Sequence, residues 1–186
     1  MKVKHNAQVL VGDYQFHHHV SREVHSLFAK GIAAIPQDHS NVKASIHTEW
    51  DWERDNITFK NLKAFIREEI ERYFKPGSMS SGMIMKLECK NFWANLYEKG
   101  DYAQSHCHKP YDFSFAYYVK TKWYHSSLVF TDSGKKIRPK EGRFVAFPAY
   151  LKHHVCKHRY NDTRITLSGN LGFNNKPVFV RQALNK

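Results

Sequence analysis

Hydrophobic and polar positions repeat with two different periods along this chain, a helical one in the N-terminal half and a period of two in the C-terminal half. Residues 7–16, AQVLVGDYQF, read as an opening strand. Ser21-Arg22-Glu23-Val24 reads as an N-cap leading into an amphipathic helix that ends near Gly31. Between Thr58 and Tyr73, the positions Leu62, Ile66, Ile70 and Tyr73 recur at helical spacing with charges between them, and Pro76-Gly77 stops the pattern. Ser78-Met79-Ser80-Ser81-Gly82 is a small, flexible connection. From Met83 the chain changes to short β-type runs at 83–97, 102–107, 113–120, 127–131, 142–147, 152–157 and 163–172, separated by Gly, Pro, Asp, Asn or Lys clusters. The pattern predicts a single domain over 1–186, in which helical and strand cladding (1–82) covers a β-sandwich or barrel core (83–172).

Composition agrees with one domain: 186 residues, 41% of them hydrophobic and 15% aromatic, suffice for a substantial core. No run approaches the roughly 18–20 apolar residues of a membrane span, and the opening Met1-Lys2-Val3-Lys4-His5-Asn6 lacks the apolar stretch of a secretory signal. A soluble, cytoplasmic protein with no membrane partner is expected. Cys89, Cys107 and Cys156 fit neither a disulfide framework nor a CxxC zinc site, which points to a reducing compartment. The formal charge of +12 favours anionic partners, nucleic acid among them. The basic residues are dispersed, however, so a solvated basic surface is the equal alternative.

Candidate chemistry begins at His106-Cys107-His108. Residues two apart on a strand share a face, so both imidazoles can enter one cavity while Cys107 points away. With 13 histidines in the chain such pairs arise by chance, and this one needs a third ligand to mean anything. His17-His18-His19 has no partner motif nearby and reads as a surface cluster. Trp50-Asp51-Trp52 and Trp123-Tyr124 read as packing or as the rim of a substrate mouth.

The third ligand comes from the stretch Phe147 to Val155, which contains His153, followed by Arg164 to Asn170. A His on one strand and an Arg on the next resemble the closing half of the double-stranded β-helix oxygenases. More specifically, Trp93 and Asn95, Gly100-Asp101-Tyr102, His106-Cys107-His108, Ser114 to Tyr118, Phe147 to Val155 and Arg164 to Asn170 resemble the prolyl-hydroxylase-like 2OG-Fe(II) oxygenase family typical of bacteria and their viruses. The resemblance covers roughly Lys90 to Phe173. It implies an α+β fold built on a double-stranded β-helix, a jelly-roll or cupin-like barrel, with the N-terminal helices packed on one sheet. It also implies a cytosolic enzyme of a bacterium or virus that uses Fe(II), 2-oxoglutarate and O2 to hydroxylate a protein residue or small molecule, releasing succinate and CO2.

In that register the iron ligands are His106, His108 and His153, with His154 as the alternative distal ligand. His108 stands where the family usually has a carboxylate. Asp112, beside the run that starts at Phe113, is the rival for the third position or an orienter of a liganding His. Arg164 and Thr166 share a strand face and can grip one carboxylate of 2-oxoglutarate. Tyr118 resembles the family's cosubstrate-contacting Tyr, and Ser168 and Asn170 continue the same face. Asn95-Leu96-Tyr97, then Gly100 and His106, resembles the nucleic-acid-demethylating AlkB-type branch, in which the Asn and Tyr hydrogen-bond 2-oxoglutarate. An AlkB-like demethylase is therefore one alternative. A non-enzymatic metal-binding β-barrel, or a structural zinc site of Cys107, His108, His153 and Cys156, is another, though strand parity sets its cysteines on the wrong faces.

Overall fold

The computed structural model describes residues 8–31, 41–75 and 86–174, and the backbone of 83–84 and 178–179. In chain order its elements are β1 (Leu10–Asp13), α1 (His17–Ala29), β2 (Val42–Lys43), β3 (Ile46–His47), α2 (Ile57–Phe74), β4 (Met83–Ile84), β5 (Leu87–Tyr97), β6 (Tyr102–His106), β7 (Phe113–Lys120), β8 (Leu128–Phe130), β9 (Lys136–Ile137), β10 (Arg143–Pro148), β11 (His153–Val155), β12 (Arg164–Phe173) and β13 (Val178–Phe179). A six-stranded sheet runs β1-β10-β7-β12-β5-β3, and a five-stranded sheet runs β2-β6-β11-β8-β9. Their paired strands are antiparallel. Both helices lie on the six-stranded sheet, as expected.

Strand alternation divides the large sheet into two chemistries. On β7, β12 and β5 one set of positions (Phe113, Phe115, Tyr117, Ile165, Leu167, Leu171, Phe92, Ala94) packs under the helices against Val20, Val24, Phe59, Leu62, Ile66 and Ile70. Each fully buried side chain of this size contributes about 1.5–3 kcal/mol. The other set, Trp93, Asn95, Tyr97, Tyr118, Arg164, Thr166 and Ser168, turns into the space between the two sheets. The bore of the barrel therefore carries a row of polar side chains where an ordinary sandwich would be apolar throughout. A smaller apolar cluster of Val9, Leu128, Phe130, Val145, Phe147, Leu151 and Val155 closes the rest of that space. Gly169 lets β12 approach its neighbours: a Cβ there would lie 2.6 Å from the Phe115 ring and 2.9 Å from the Asn91 carbonyl oxygen.

Local boundaries differ from the sequence reading in instructive ways. Helix α1 begins at His17, not after a Ser21 cap, and Phe16 at its N-cap makes no side-chain cap bond. Tertiary contacts fix that first turn: His17 Nδ1 bonds the Tyr117 hydroxyl at 2.8 Å, and Val20 and Val24 are fully buried one turn apart. The polar His run is thus helical. Helix α2 matches closely, because Asn56 caps it by accepting from Thr58 N–H (3.0 Å) and Phe59 N–H (3.4 Å). The connection at 78–82 and the first residue of the opening run lie outside the described residues. The run at 83–97 is two strands, β4 and β5, and the short β2, β3 and β9 have too few residues to show a period.

Candidate metal centre

His106 ends β6 and pairs across the ladder with His153, which opens β11. His108 arrives differently from the strand alternation expected for it. It lies beyond the end of β6, in a turn fixed by its N–H donating to the Ala149 carbonyl at 2.8 Å. A strand end, a turn and a facing strand bring the three rings together, with centroids 4.9, 4.5 and 5.1 Å apart and one nitrogen of each within 4.8 Å of the others.

The tautomers are set from behind. His106 Nδ1–H donates to the Gln104 carbonyl at 2.7 Å and His153 Nδ1–H to the Leu151 carbonyl at 3.0 Å, which leaves each Nε2 with a bare lone pair. The His108 ring makes no hydrogen bond among the described residues. Burial, reinforced by the neighbouring histidines, pushes His108 down to about 3 and His153 to about 4; burial also lowers His106. At neutral pH the cluster is three uncharged imidazoles, the form that binds a transition metal.

Behind the histidines a narrow cavity runs into the barrel between Asn95, Tyr97, Tyr118, Arg164, Thr166 and Ser168. Arg164 is 4% exposed, yet among the described residues no carboxylate pairs with it. Its Nη1 donates to the Ser126 carbonyl at 2.9 Å, and the guanidinium carbon lies 5.5 and 5.2 Å from the Tyr97 and Tyr118 ring centres. Arg164 Nε, Asn95 Oδ1 and the Tyr118 hydroxyl are buried without a partner among the described residues. Unpaired buried polar atoms each cost about 1–3 kcal/mol, so three in one cavity mark a place built for a polar guest. Burial, opposed by the nearby Arg164 charge, pushes the Tyr97 hydroxyl up to about 12, so it stays protonated and able to donate.

Outside the histidines a cleft of about 440 Å³ is lined by Asn41, His47, Trp50, Trp93, Lys109, Tyr111 and the amides of Asn91 and Asn170, among others. Trp93 lines both cleft and cavity: its ring lies 6.1 Å from His108 and 4.8 Å from Trp50, and its buried Nε1–H has no partner among the described residues. Sequence reasoning named Trp93 only as a motif position and passed over His47. The latter sits on a two-residue strand where no alternation can be read.

Two residues named as alternatives lie elsewhere. Asp112 Oδ2 accepts the Phe173 N–H at 3.0 Å, and this exposed carboxylate does not join the histidines, because its turn is tied to β12 rather than to β6. His154 points outward, its Nδ1 3.2 Å from Thr131 Oγ1. Cys107 lines the cleft and Cys156 is exposed, and neither joins the three histidines.

No family model matches the sequence, and no curated protein matches it. Solved structures do. A viral collagen prolyl hydroxylase from Paramecium bursaria chlorella virus-1, crystallised with 2-oxoglutarate, superposes with a TM-score of 0.66 at 14% identity, covering 91% of this chain and 98% of that one. A Pseudomonas putida prolyl-4-hydroxylase gives 0.67 at 15% identity over 92% and 94%. HygX from Streptomyces hygroscopicus, with nickel and 2-oxoglutarate bound, gives 0.62 at 10% identity over 89% and 83%. The chain has their double-stranded β-helix fold. The fold expected from the His153–Arg164 resemblance is thereby borne out.

Proposed function

We propose that this protein is an Fe(II)- and 2-oxoglutarate-dependent oxygenase that hydroxylates a protein residue or small molecule held in the cleft beside the three histidines. The observation that carries this reading is Arg164: a buried cation that no carboxylate pairs with among the described residues, in a cavity whose other end is a cluster of three metal-ready imidazoles. A plain metal-binding barrel would have no use for that cation.

The residues fit the groups they would hold. His106, His108 and His153 offer three lone pairs from neutral rings, suited to a divalent first-row metal. Three imidazoles leave the metal's charge uncompensated, so an anionic cosubstrate gains more here than beside a carboxylate ligand. Arg164 presents a planar fork to the far carboxylate, and Asn95, Tyr97, Thr166 and Tyr118 supply amide and hydroxyl groups along the way. The cavity between these side chains measures about 50 Å³. When bound, Fe(II) and 2-oxoglutarate supply the oxidation, in which O2 is consumed, 2-oxoglutarate becomes succinate and CO2, and one oxygen atom enters a substrate C–H. The chain's part is to hold the diacid at both ends, to keep the protonated Tyr97 hydroxyl as a donor, and to seat substrate against Trp93 and Trp50.

The structural neighbours include enzymes described as prolyl hydroxylases and one crystallised with hygromycin B. A protein residue and a small molecule are accordingly the two substrate classes this reading carries. A nucleic-acid substrate draws on the +12 charge, but the cleft lining contributes a single Lys, Lys109. Among the described residues no helix is long and apolar enough to cross a membrane.

Anaerobic addition of Fe(II) and 2-oxoglutarate should produce a weak visible charge-transfer band, abolished in His153→Ala and in Arg164→Ala. Its absence from the unmodified protein, together with no succinate formed in air, would overturn the proposal.

A further inference from the structure

A second cluster of His125, His158 and Asp162 also brings three potential metal ligands within 4.8 Å of one another. Its hydrogen bonds assign it another task. The Lys122 N–H donates to His125 Nδ1 at 3.2 Å, so the proton of that neutral ring sits on Nε2, which donates to Asp162 at 3.2 Å from either oxygen. His158 Nε2 faces two acceptors, the Asp162 carbonyl at 2.9 Å and Oδ1 at 3.0 Å, and must be a donor too. The Tyr124 hydroxyl donates to Oδ2 at 2.7 Å. Both inward nitrogens carry protons, and no lone pair of theirs is left for a metal. Burial opposes ionisation of Asp162, but the donors Tyr124, His125 and His158 hold its carboxyl down at about 2.

These bonds join two loops. Residues 121–127 connect β7 to β8, and 156–163 connect β11 to β12. Ser126 follows His125 directly, and its carbonyl is the acceptor that holds Arg164 Nη1. Arg164 itself follows Asp162 by two residues. A second tie, Lys120 Nζ to Thr163 Oγ1 at 2.7 Å, runs alongside. The guanidinium is thus aligned against a carbonyl whose loop is held in place by the Asp162 carboxylate.

We infer that Asp162 is a positioning residue for Arg164, clasping the two loops at whose junction the guanidinium is aimed at a dicarboxylate. The inference rests on the reading of Arg164 as the grip on the far carboxylate of 2-oxoglutarate. Its signature is selective: a ligand that reaches Arg164 should feel the clasp, and one that ends short of it should not.

Calorimetric titration of the Ni(II)-loaded protein with 2-oxoglutarate and with pyruvate, which keeps the 2-oxo acid but lacks the far carboxylate, tests this. Asp162→Asn should weaken 2-oxoglutarate binding about ten-fold, the scale typical of outer-sphere orienting partners, and leave pyruvate within about two-fold. Tyr124→Phe removes one hydrogen bond at the surface of the clasp. It should reproduce the selective loss at about two- to three-fold and carries the test if Asp162→Asn does not fold. Unchanged 2-oxoglutarate affinity, or equal losses for both ligands, would overturn the inference and make Asp162 merely structural. So would a second equivalent of Ni(II) that Asp162→Asn abolishes. If the unmodified protein fails to prefer 2-oxoglutarate over pyruvate, it is the Arg164 reading that falls, and this one with it.

Discussion

Among the described residues the barrel holds two clusters of metal-type side chains, His106/His108/His153 and His125/His158/Asp162, and they are opposites in one respect. In the first, backbone carbonyls take the Nδ1 protons of His106 and His153 from behind, and lone pairs face inward. In the second, a backbone N–H occupies His125 Nδ1 from behind, and protons face inward onto a carboxylate. Proximity is the same, and both clusters are built on histidine, with a carboxylate only in the second. What separates a candidate metal centre from a structural clasp is which ring nitrogen the backbone takes, and whether the inward groups already satisfy one another. The first cluster carries unmet capacity, and the second spends its capacity on holding the fold.

The largest effect that could break this contrast is metal stoichiometry. His153→Ala should lower affinity for Ni(II) or Fe(II) by more than about 100-fold, beyond the loss seen when only an orienting partner is removed. His158→Ala should leave one metal per chain. Equilibrium dialysis with elemental analysis decides it, and the reverse pattern would show that the inward protons of the second cluster do not exclude a metal.

Stability of the metal-free protein comes next and should differ between the clusters. Asp162→Asn keeps one accepting oxygen but removes the charge and turns an NH2 donor toward groups that are themselves donors, and it is expected to cost about 1–3 kcal/mol. His108→Leu removes a ring that makes no hydrogen bond among the described residues and is crowded by two other imidazoles. It should be neutral, or stabilising by up to about 1 kcal/mol, because the polar group it deletes was desolvated without return. Urea unfolding in EDTA measures both. Comparable destabilisation by the two would mean that the first cluster is structural as well.

This contrast also explains what could be read from the chain. Arg164, Asn95 and Tyr97 were legible through motif resemblance, and because β12 and β5 are long strands, residue parity then sets Thr166 beside Arg164 and Tyr97 on the face of Asn95. His106 and His153 were legible through motif resemblance. The route taken by His108 was not: it reaches the cluster from a turn, and strand parity gave the right neighbourhood by the wrong geometry. Helix α1 misled because a Ser at a plausible cap position outweighed three histidines, while the contact that fixes the true start, His17 to Tyr117, spans 100 residues. The clasp left no local signal for the same reason, since Asp162 meets His125 across 37 residues in two loops without periodicity. Periodic elements declare their faces in sequence, and loop-to-loop hydrogen bonds do not.

The finest distinction lies in acid. In the metal-free protein, burial and neighbouring histidines set His108 at about 3 and His153 at about 4, against roughly 6.5 in the unfolded chain. Below pH 6.5 the unfolded chain takes up protons that these folded histidines refuse. Their neutral form therefore favours folding above pH 6.5, and stability drains away as pH falls toward 3, by at most about 1.4 kcal/mol per pH unit for each group. Asp162 acts later: its carboxyl, normally at 3.8, is held at about 2, so its contribution is complete above pH 3.8 and is lost only between there and 2. Unfolding midpoints in EDTA between pH 6.5 and 4.5 should then fall less steeply for His108→Leu than for the unmodified protein. Asp162→Asn should run parallel or slightly steeper, because His125, whose charged form is already disfavoured by burial, loses the carboxylate that favours it. A flattened Asp162→Asn curve beside an unchanged His108→Leu curve would place the acid-sensitive histidines in the clasp and invert the contrast between the clusters.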